Sequence, residues 1–305
     1  MTLDAPAKLN LSLVVMGRRP DGYHELNTTM VKLPGLADRV SFEPAETFSF
    51  ACDDPSLPTD ESNLVVKAVR GFEAATGKPC QYRITLEKHV PHGAGLGGGS
   101  SDAATTLLGL NELNGDPLPM EKLSEIAASL GSDIPFFLYP GAARCTGRGE
   151  IIKKIQPIRP TPVLLLKPSF GVSTQDAYGR FSDRSPGITG ISYRMQRLPF
   201  GKAVNNLERP VFSKHRFLGE LKQWLLERPE TLGALMSGSG STVFAVLKNP
   251  DDAEKVATEA RAALMSGSGP RVSPVLKNPD DAEKIAAEAR AALDPNLWSW
   301  SGFTG

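Results

Sequence analysis

The sequence predicts two α+β domains, residues 1–155 and 156–305, joined by a proline-containing stretch from Gln156 to Pro162. Three observations predict this. Segments with the two-residue period of strands alternate with segments of helical period in the first half, and the mixture recurs in the second half. The chain has 305 residues, 40% of them hydrophobic, enough for two separate cores.

The elements follow in order. Lys8–Val15 alternates, with Leu9, Leu11, Leu13 and Val15 on one face and Lys8, Asn10 and Ser12 on the other, the pattern of a half-buried strand. Pro20-Asp21-Gly22 makes a turn before Tyr23-His24-Glu25-Leu26. Short strands are expected at Val40–Phe42 and Phe48–Ala51, and a helix over Asn63–Thr76 that stops at Gly77 and Pro79. Tyr82–Lys88 alternates again and runs into a glycine-rich loop. Helices over Asp102–Leu113 and Met120–Leu130 follow, the second ended by Gly131. Beyond the linker come an apolar strand at Val163–Leu166, a helix at Arg216–Leu226, a strand at Thr242–Leu247 and a helix at Asp251–Leu264.

Composition excludes several classes of function. The 34 basic and 34 acidic residues balance, so nothing suggests a nucleic acid or an anionic membrane as partner. Cys52, Cys80 and Cys145 are far apart and odd in number, which fits neither a metal site nor a disulfide framework and points to a reducing compartment. The start, Met1-Thr2-Leu3-Asp4-Ala5, lacks the features of a signal peptide, and no apolar run approaches the roughly 20 residues of a membrane helix. A soluble cytoplasmic protein is expected.

The tail contains a tandem duplication. Leu235–Leu264 recurs as Leu264–Leu293 at an offset of 29 residues. Two copies are too few for a solenoid. Ser241-Thr242-Val243-Phe244-Ala245 becomes Pro270-Arg271-Val272-Ser273-Pro274 in the second copy, and its prolines are unsuited to a central strand. The first copy is therefore expected to keep the structural role, with the Asp280–Leu293 helix a competitor for its docking surface.

Glycines 93, 95, 97, 98 and 99 lie between a strand and a helix, and Ser100 and Ser101 stand at the junction. Glycine lets backbone N–H groups approach a ligand, and a helix N-terminus adds unpaired donors and partial positive charge. Together they predict a phosphate cradle. It is not a Walker loop, because no Gly-Lys-Ser or Gly-Lys-Thr follows.

The run Pro91-His92-Gly93-Ala94-Gly95-Leu96-Gly97-Gly98-Gly99-Ser100-Ser101-Asp102-Ala103-Ala104 resembles the ATP-phosphate loop of the GHMP kinases. Other motifs of the family follow the same order along the chain: Ala7–Leu11 with Asp21–Leu26, Gly131–Phe137, Thr146–Glu150, Lys167-Pro168 through Val172-Ser173, Asn206–Glu208 and Met236–Ser241. The likeness spans about residues 5 to 250. It departs modestly at Ser132, where alanine is commoner, and more seriously in the duplication.

The resemblance implies a GHMP kinase fold, with an N-terminal domain like the second domain of ribosomal protein S5 and a ferredoxin-like C-terminal domain. It implies ATP with Mg²⁺ as cofactors, bound by Pro91 to Ser101, with Ser101 as the protein contact to the metal. The implied reaction is phosphorylation of the 2-hydroxyl of 4-diphosphocytidyl-2-C-methyl-D-erythritol, a small cytidyl substrate of non-mevalonate isoprenoid synthesis. Asp133 is implied as the base and Lys8 as the group that keeps it ionised and orients the hydroxyl. Asn10, Tyr23 and His24 are implied to hold the substrate, the last two at the cytosine. Met236–Ser241 is implied to lend further backbone donors. Monomer and homodimer both remain open. The rivals are a sibling kinase acting on homoserine, mevalonate or a sugar, and a non-catalytic nucleotide-binding relative.

Overall fold

The computed structural model describes residues 1–181, 187–265 and 297–305. They form two compact units: Met1–His92 with Leu96–Ile158 and Thr304–Gly305, and Arg159–Phe303 with Gly93–Gly95.

The first unit is built on a long antiparallel hairpin, β1 (Thr2–Arg18) and β2 (His24–Pro44). Both strands extend well past the alternating stretches in the sequence. The ladder continues through three register shifts, at Pro6/Ala7, Asn10/Ser12 and Val15/Gly17, and the first and last of these bound the stretch that alternates in the sequence. β3 (Ser49–Cys52) then leads to helix α1 (Leu64–Thr76), whose first turn is capped by the Asn63 side chain accepting from Val65 N–H. β4 (Tyr82–Glu87) is followed by helices α2 (Gly98–Leu113), α3 (Met120–Leu130) and the single turn α4 (Ile134–Phe137), then by β5 (Ala142–Gly147) and β6 (Ile151–Lys154). The sheet order is β3-β4-β2-β5-β6, and β1 lies along β2. Opposite halves of β2 pair with β4 and β5, so this strand is the spine of the unit.

Helices α1 and α2 close one side of this sheet over a core that includes Val40, Phe42, Val69, Ile84, Leu107 and Phe136. Leu9, Leu11, Leu13 and Val15 are buried as the alternation predicts, but Lys8 and Asn10 are each only 3% exposed. The strand is not half-buried at that point. Its polar side chains have been brought inside, which is costly unless each finds a partner.

The second unit holds β7 (Pro162–Lys167), α5 (Thr174–Gly179), a small ribbon of β8 (Gln196–Leu198) and β9 (Gly201–Ala203), and helices α6 (Glu208–Lys214) and α7 (Arg216–Leu226). β10 (Thr231–Met236), β11 (Val243–Leu247), α8 (Asp252–Met265) and β12 (Trp298–Phe303) complete it. The four-stranded antiparallel sheet runs β10-β11-β7-β12. Helix α7 packs on β10 and β11, and α8 on β7 and β12.

The first duplicated copy thus supplies the end of β10, all of β11 and α8. From residue 266 onward the second copy, with the helix expected over Asp280–Leu293, lies outside the described residues. Among the described residues, no helix is long and apolar enough to cross a membrane.

Candidate active site

In the first unit, bulged strand β1 carries Lys8 and Asn10 toward the segment between α3 and α4. Lys8 Nζ donates to Asn10 Oδ1 at 2.5 Å and lies 3.5 Å from Asp133 Oδ2. Asn10 Nδ2 in turn donates to Thr28 Oγ1 at 2.8 Å, and the Thr28 hydroxyl donates to Ser12 O at 2.7 Å. The ammonium is therefore held by a chain of polar groups rooted in the hairpin. The Lys8 side chain is 3% exposed and that of Asp133 is 39%, so the pair joins an interior cation to a carboxylate that solvent or a ligand can reach.

Asp133 stands just before α4, and the buried ring pair Phe136–Phe137, 5.1 Å apart and edge-on, anchors that turn in the core. Lys32, opposite Lys8 in the β1–β2 register, donates from Nζ to Phe137 O at 2.9 Å and holds the far end of the turn. Burial pulls the Lys32 pKa down to about 8. Burial, with the Asp133 charge adding to it, pushes the Cys145 thiol up to about 12, which keeps it an inert core residue beside the pair.

The glycine-rich loop is close by. Lys8 N–H donates to Leu96 O at 2.9 Å, tying the loop to β1. Gly97 has φ of 72° and precedes the first helical residue of α2. A Cβ there would stand 2.9 Å from Phe137 Cζ and 3.0 Å from Lys8 Cε, so the loop passes Lys8 at a distance that only glycine permits. The helix begins at Gly98, four residues before the expected start at Asp102. Two glycines are poor helix formers, and it is the packing of this turn that overrides their propensity. Ser101 Oγ is fully buried, with no hydrogen-bond partner among the described residues. An orphaned hydroxyl at a helix N-terminus is an observation that calls for a ligand.

Tyr23 and His24 lie at the turn between β1 and β2. The Tyr23 ring is 54% exposed, with the Arg148 guanidinium 4.8 Å from its centroid. Glu25 fixes this corner by accepting from Arg19 Nη1 at 2.6 Å and from Gly147 N–H at 3.1 Å. Burial, then the nearby Arg18 charge, lowers the His24 pKa, favouring the neutral imidazole with one donor and one acceptor nitrogen. The geometry brings Lys8, Asn10, Asp133 and Leu96–Ser101 together. Tyr23 is engaged by Arg148 at the hairpin turn, and His92 Nε2 is 3.4 Å from Ser56 Oγ.

In the second unit, Gly93–Gly95 are held by the loop Met236–Ser241 and the residue after it. Thr242 N–H donates to Ala94 O at 3.1 Å and Ser237 Oγ to Gly95 O at 3.0 Å. Asn205 Nδ2 donates to both Met236 O and Gly238 O, and Glu208 Oε1 accepts from Met236 N–H. Glu208 is itself paired with Lys222 at 2.6 Å in the interior. Sequence reasoning gave Asn205, Lys222, Lys32 and Arg148 no role. Only Arg148 lay in a quoted motif; the others become visible through pairings across strands and helices.

Comparison with known proteins gives the family. Residues 63–141 match the family described as GHMP kinases N terminal domain, and residues 194–264 match GHMP kinases C terminal. The 4-diphosphocytidyl-2-C-methyl-D-erythritol kinase of Protochlamydia amoebophila is 41% identical over 246 residues, covering 80% of this chain and 83% of the relative. The kinase of the same name from Carboxydothermus hydrogenoformans is 40% identical, covering 84% and 91%. A crystal structure of 4-(cytidine 5'-diphospho)-2C-methyl-D-erythritol kinase superposes with a TM-score of 0.70 at 32% identity, covering 100% of this chain and 99% of that one. Homoserine kinase from Cytophaga hutchinsonii, at 17% identity and a TM-score of 0.63, shares the fold. The bulged hairpin, the glycine-rich start of α2 and these relatives together show that the chain belongs to the 4-diphosphocytidyl-2-C-methyl-D-erythritol kinases of the GHMP kinase family.

Proposed function

We propose that the protein transfers the γ-phosphoryl group of ATP to the 2-hydroxyl of 4-diphosphocytidyl-2-C-methyl-D-erythritol, releasing ADP and the 2-phosphate. The observation that carries this reading is the Lys8–Asp133 pair at 3.5 Å beside the glycine-rich start of α2. Asp133 orients the hydroxyl and receives its proton as the new P–O bond forms and the bond to the β-phosphate oxygen breaks. Lys8, 3.5 Å from that carboxylate, offsets the negative charge gathering around it. Backbone N–H groups from Gly97 to Ser100 receive the phosphates, since the Ser101 N–H already donates to Gly97 O at 2.9 Å. Residues 1–155 then act as the ATP-binding domain and residues 156–305 as the C-terminal domain.

Magnesium, when bound, neutralises phosphate charge in such reactions. The buried, unpartnered Ser101 hydroxyl suits a hard cation that prefers oxygen. Among the described residues no three His, Cys, Asp or Glu side chains gather into a metal cage. Ser101 with the phosphate oxygens fits the way magnesium is usually held.

Tyr23 offers a stacking face for the cytosine, and neutral His24 offers hydrogen bonds to its edge. Replacing Tyr23 with alanine is expected to raise KM for the cytidyl substrate about tenfold, since base–aromatic stacking contributes about 1–3 kcal/mol. KM for ATP should stay unchanged, and Tyr23→Phe should behave as the parent. The whole reading is tested by ADP release in the presence of magnesium, with the cytidyl substrate compared with homoserine, mevalonate and galactose. ADP release that does not depend on the cytidyl substrate would refute it.

A further inference from the structure

Beneath the start of α2 lies a buried ion cluster that the reaction above does not use. Lys88 Nζ is 2.5 Å from Asp38 Oδ2 and 2.8 Å from Asp102 Oδ2, and none of the three side chains is more than 7% exposed. Each comes from a different place in the fold: Asp38 from β2, Lys88 from the residue just after β4, Asp102 from the first turns of α2. The other oxygen of Asp38 accepts from His89 N–H at 2.6 Å and Val90 N–H at 2.7 Å. These are the residues that lead into the glycine-rich loop. At the loop's far end, a Cβ on Gly98 would stand 3.1 Å from Val90 Cγ1 and 3.3 Å from both Asp38 Oδ2 and Lys88 Nζ. The two ends of the loop therefore close over a single cluster.

Two carboxylates around one ammonium are an expensive way to fill an interior. Apolar residues of like volume often stabilise a protein as well or better. Such a cluster does, however, specify geometry, because each charge tolerates few arrangements of its partners. Here it pins the backbone immediately before the loop and the helical turn immediately after it, and leaves Pro91 to Gly97 to span the gap.

We propose that Asp38, Lys88 and Asp102 are positioning residues for the ATP phosphates, holding the loop's N–H groups in their binding geometry before the nucleotide arrives. The proposal rests on the ATP-dependent reading above. Preorganised donors bind an anion without first paying to be ordered, so loosening the cluster should weaken ATP binding more than it weakens the fold.

The test uses Asp102→Asn, which keeps shape and leaves Lys88 in a balanced pair with Asp38, together with Asp38→Asn as a second variant. Affinity for a non-hydrolysable ATP analogue with magnesium is measured by calorimetry, thermal unfolding is followed in parallel, and KM is determined for each substrate. Analogue affinity and KM for ATP are expected to worsen about tenfold, the scale of one or two misplaced charge-assisted hydrogen bonds. KM for the cytidyl substrate should stay within twofold of the parent, with unfolding still cooperative. Unchanged analogue affinity in a variant with a lower unfolding temperature would make the cluster merely structural and overturn the proposal. Failure of the parent itself to bind the analogue would overturn the kinase reading and this proposal with it.

Discussion

Asp133→Asn is expected to lower kcat by about 10²-fold or more, with little change in the KM for ATP. The asparagine keeps the size and most of the hydrogen bonding of the side chain but can neither receive the proton nor carry the charge that faces Lys8. Its side chain is 39% exposed and lies at the edge of the core, so the folded state should survive the change. Steady-state ADP release and the unfolding temperature decide the matter together. A variant that folds as the parent does and turns over within threefold of it would remove Asp133 from the chemistry. Lys8→Met should also be poorly active, yet it is the less clean experiment. It removes an interior hydrogen bond, the 2.5 Å contact from Lys8 Nζ to Asn10 Oδ1, so stability falls along with activity.

Lys222→Met is expected to destabilise the protein by about 3–5 kcal/mol at neutral pH, the usual effect of removing one partner from a buried ion pair. Lys222 and Glu208 are 1% and 2% exposed, and Lys222 Nζ also donates to Ser192 O at 2.7 Å. Burial raises the Glu208 pKa, and the attraction of Lys222 is the largest effect opposing that rise. Without the lysine the folded-state pKa climbs further above that of the unfolded chain. A carboxyl raised in this way contributes stability that is fully present below its unfolded pKa and is lost as pH rises through the folded one. The deficit of the variant relative to the parent should therefore be small at about pH 4, below the ordinary glutamate pKa, and full at pH 7. Denaturant unfolding of both proteins at the two pH values measures it, and a deficit independent of pH would show that Glu208 is not the cause. Glu208 also accepts from Met236 N–H at 3.0 Å, so the loop Met236–Ser241 should loosen with it.

Helix α7 illustrates what local sequence can decide. Its apolar positions from Arg216 to Leu226 recur at helical spacing, and the helix spans those residues. The same holds for α1, with a capping asparagine before it and a glycine after it. The bulged hairpin was only partly legible. The shifts at Pro6/Ala7 and Val15/Gly17 bound the alternating stretch Lys8–Val15, so strands of 17 and 21 residues read as shorter pieces. Strands β5 and β6 and the turn α4 are too short to show a period, and they take their shape from the neighbours they pair with or pack against.

The candidate site divides in the same way. Glycine spacing between a strand and a helix, and the ordered motifs around Lys8, Tyr23 and Asp133, are properties of the chain itself, because backbone freedom and side-chain chemistry are local. They sufficed for the family, and they are what the proposed phosphate loop and acid–base pair were read from. Asp38, Lys88 and Asp102 are as far apart as 64 positions, and nothing in the sequence distinguishes their charges from those on the surface. Alternation alone puts Lys8 on the polar face of a half-buried strand, and the fold leaves it 3% exposed. Whether a charge is buried, and against which partner, depends on strand register and helix packing. Those are set by the burial of many apolar side chains at once, so only the tertiary structure decides them.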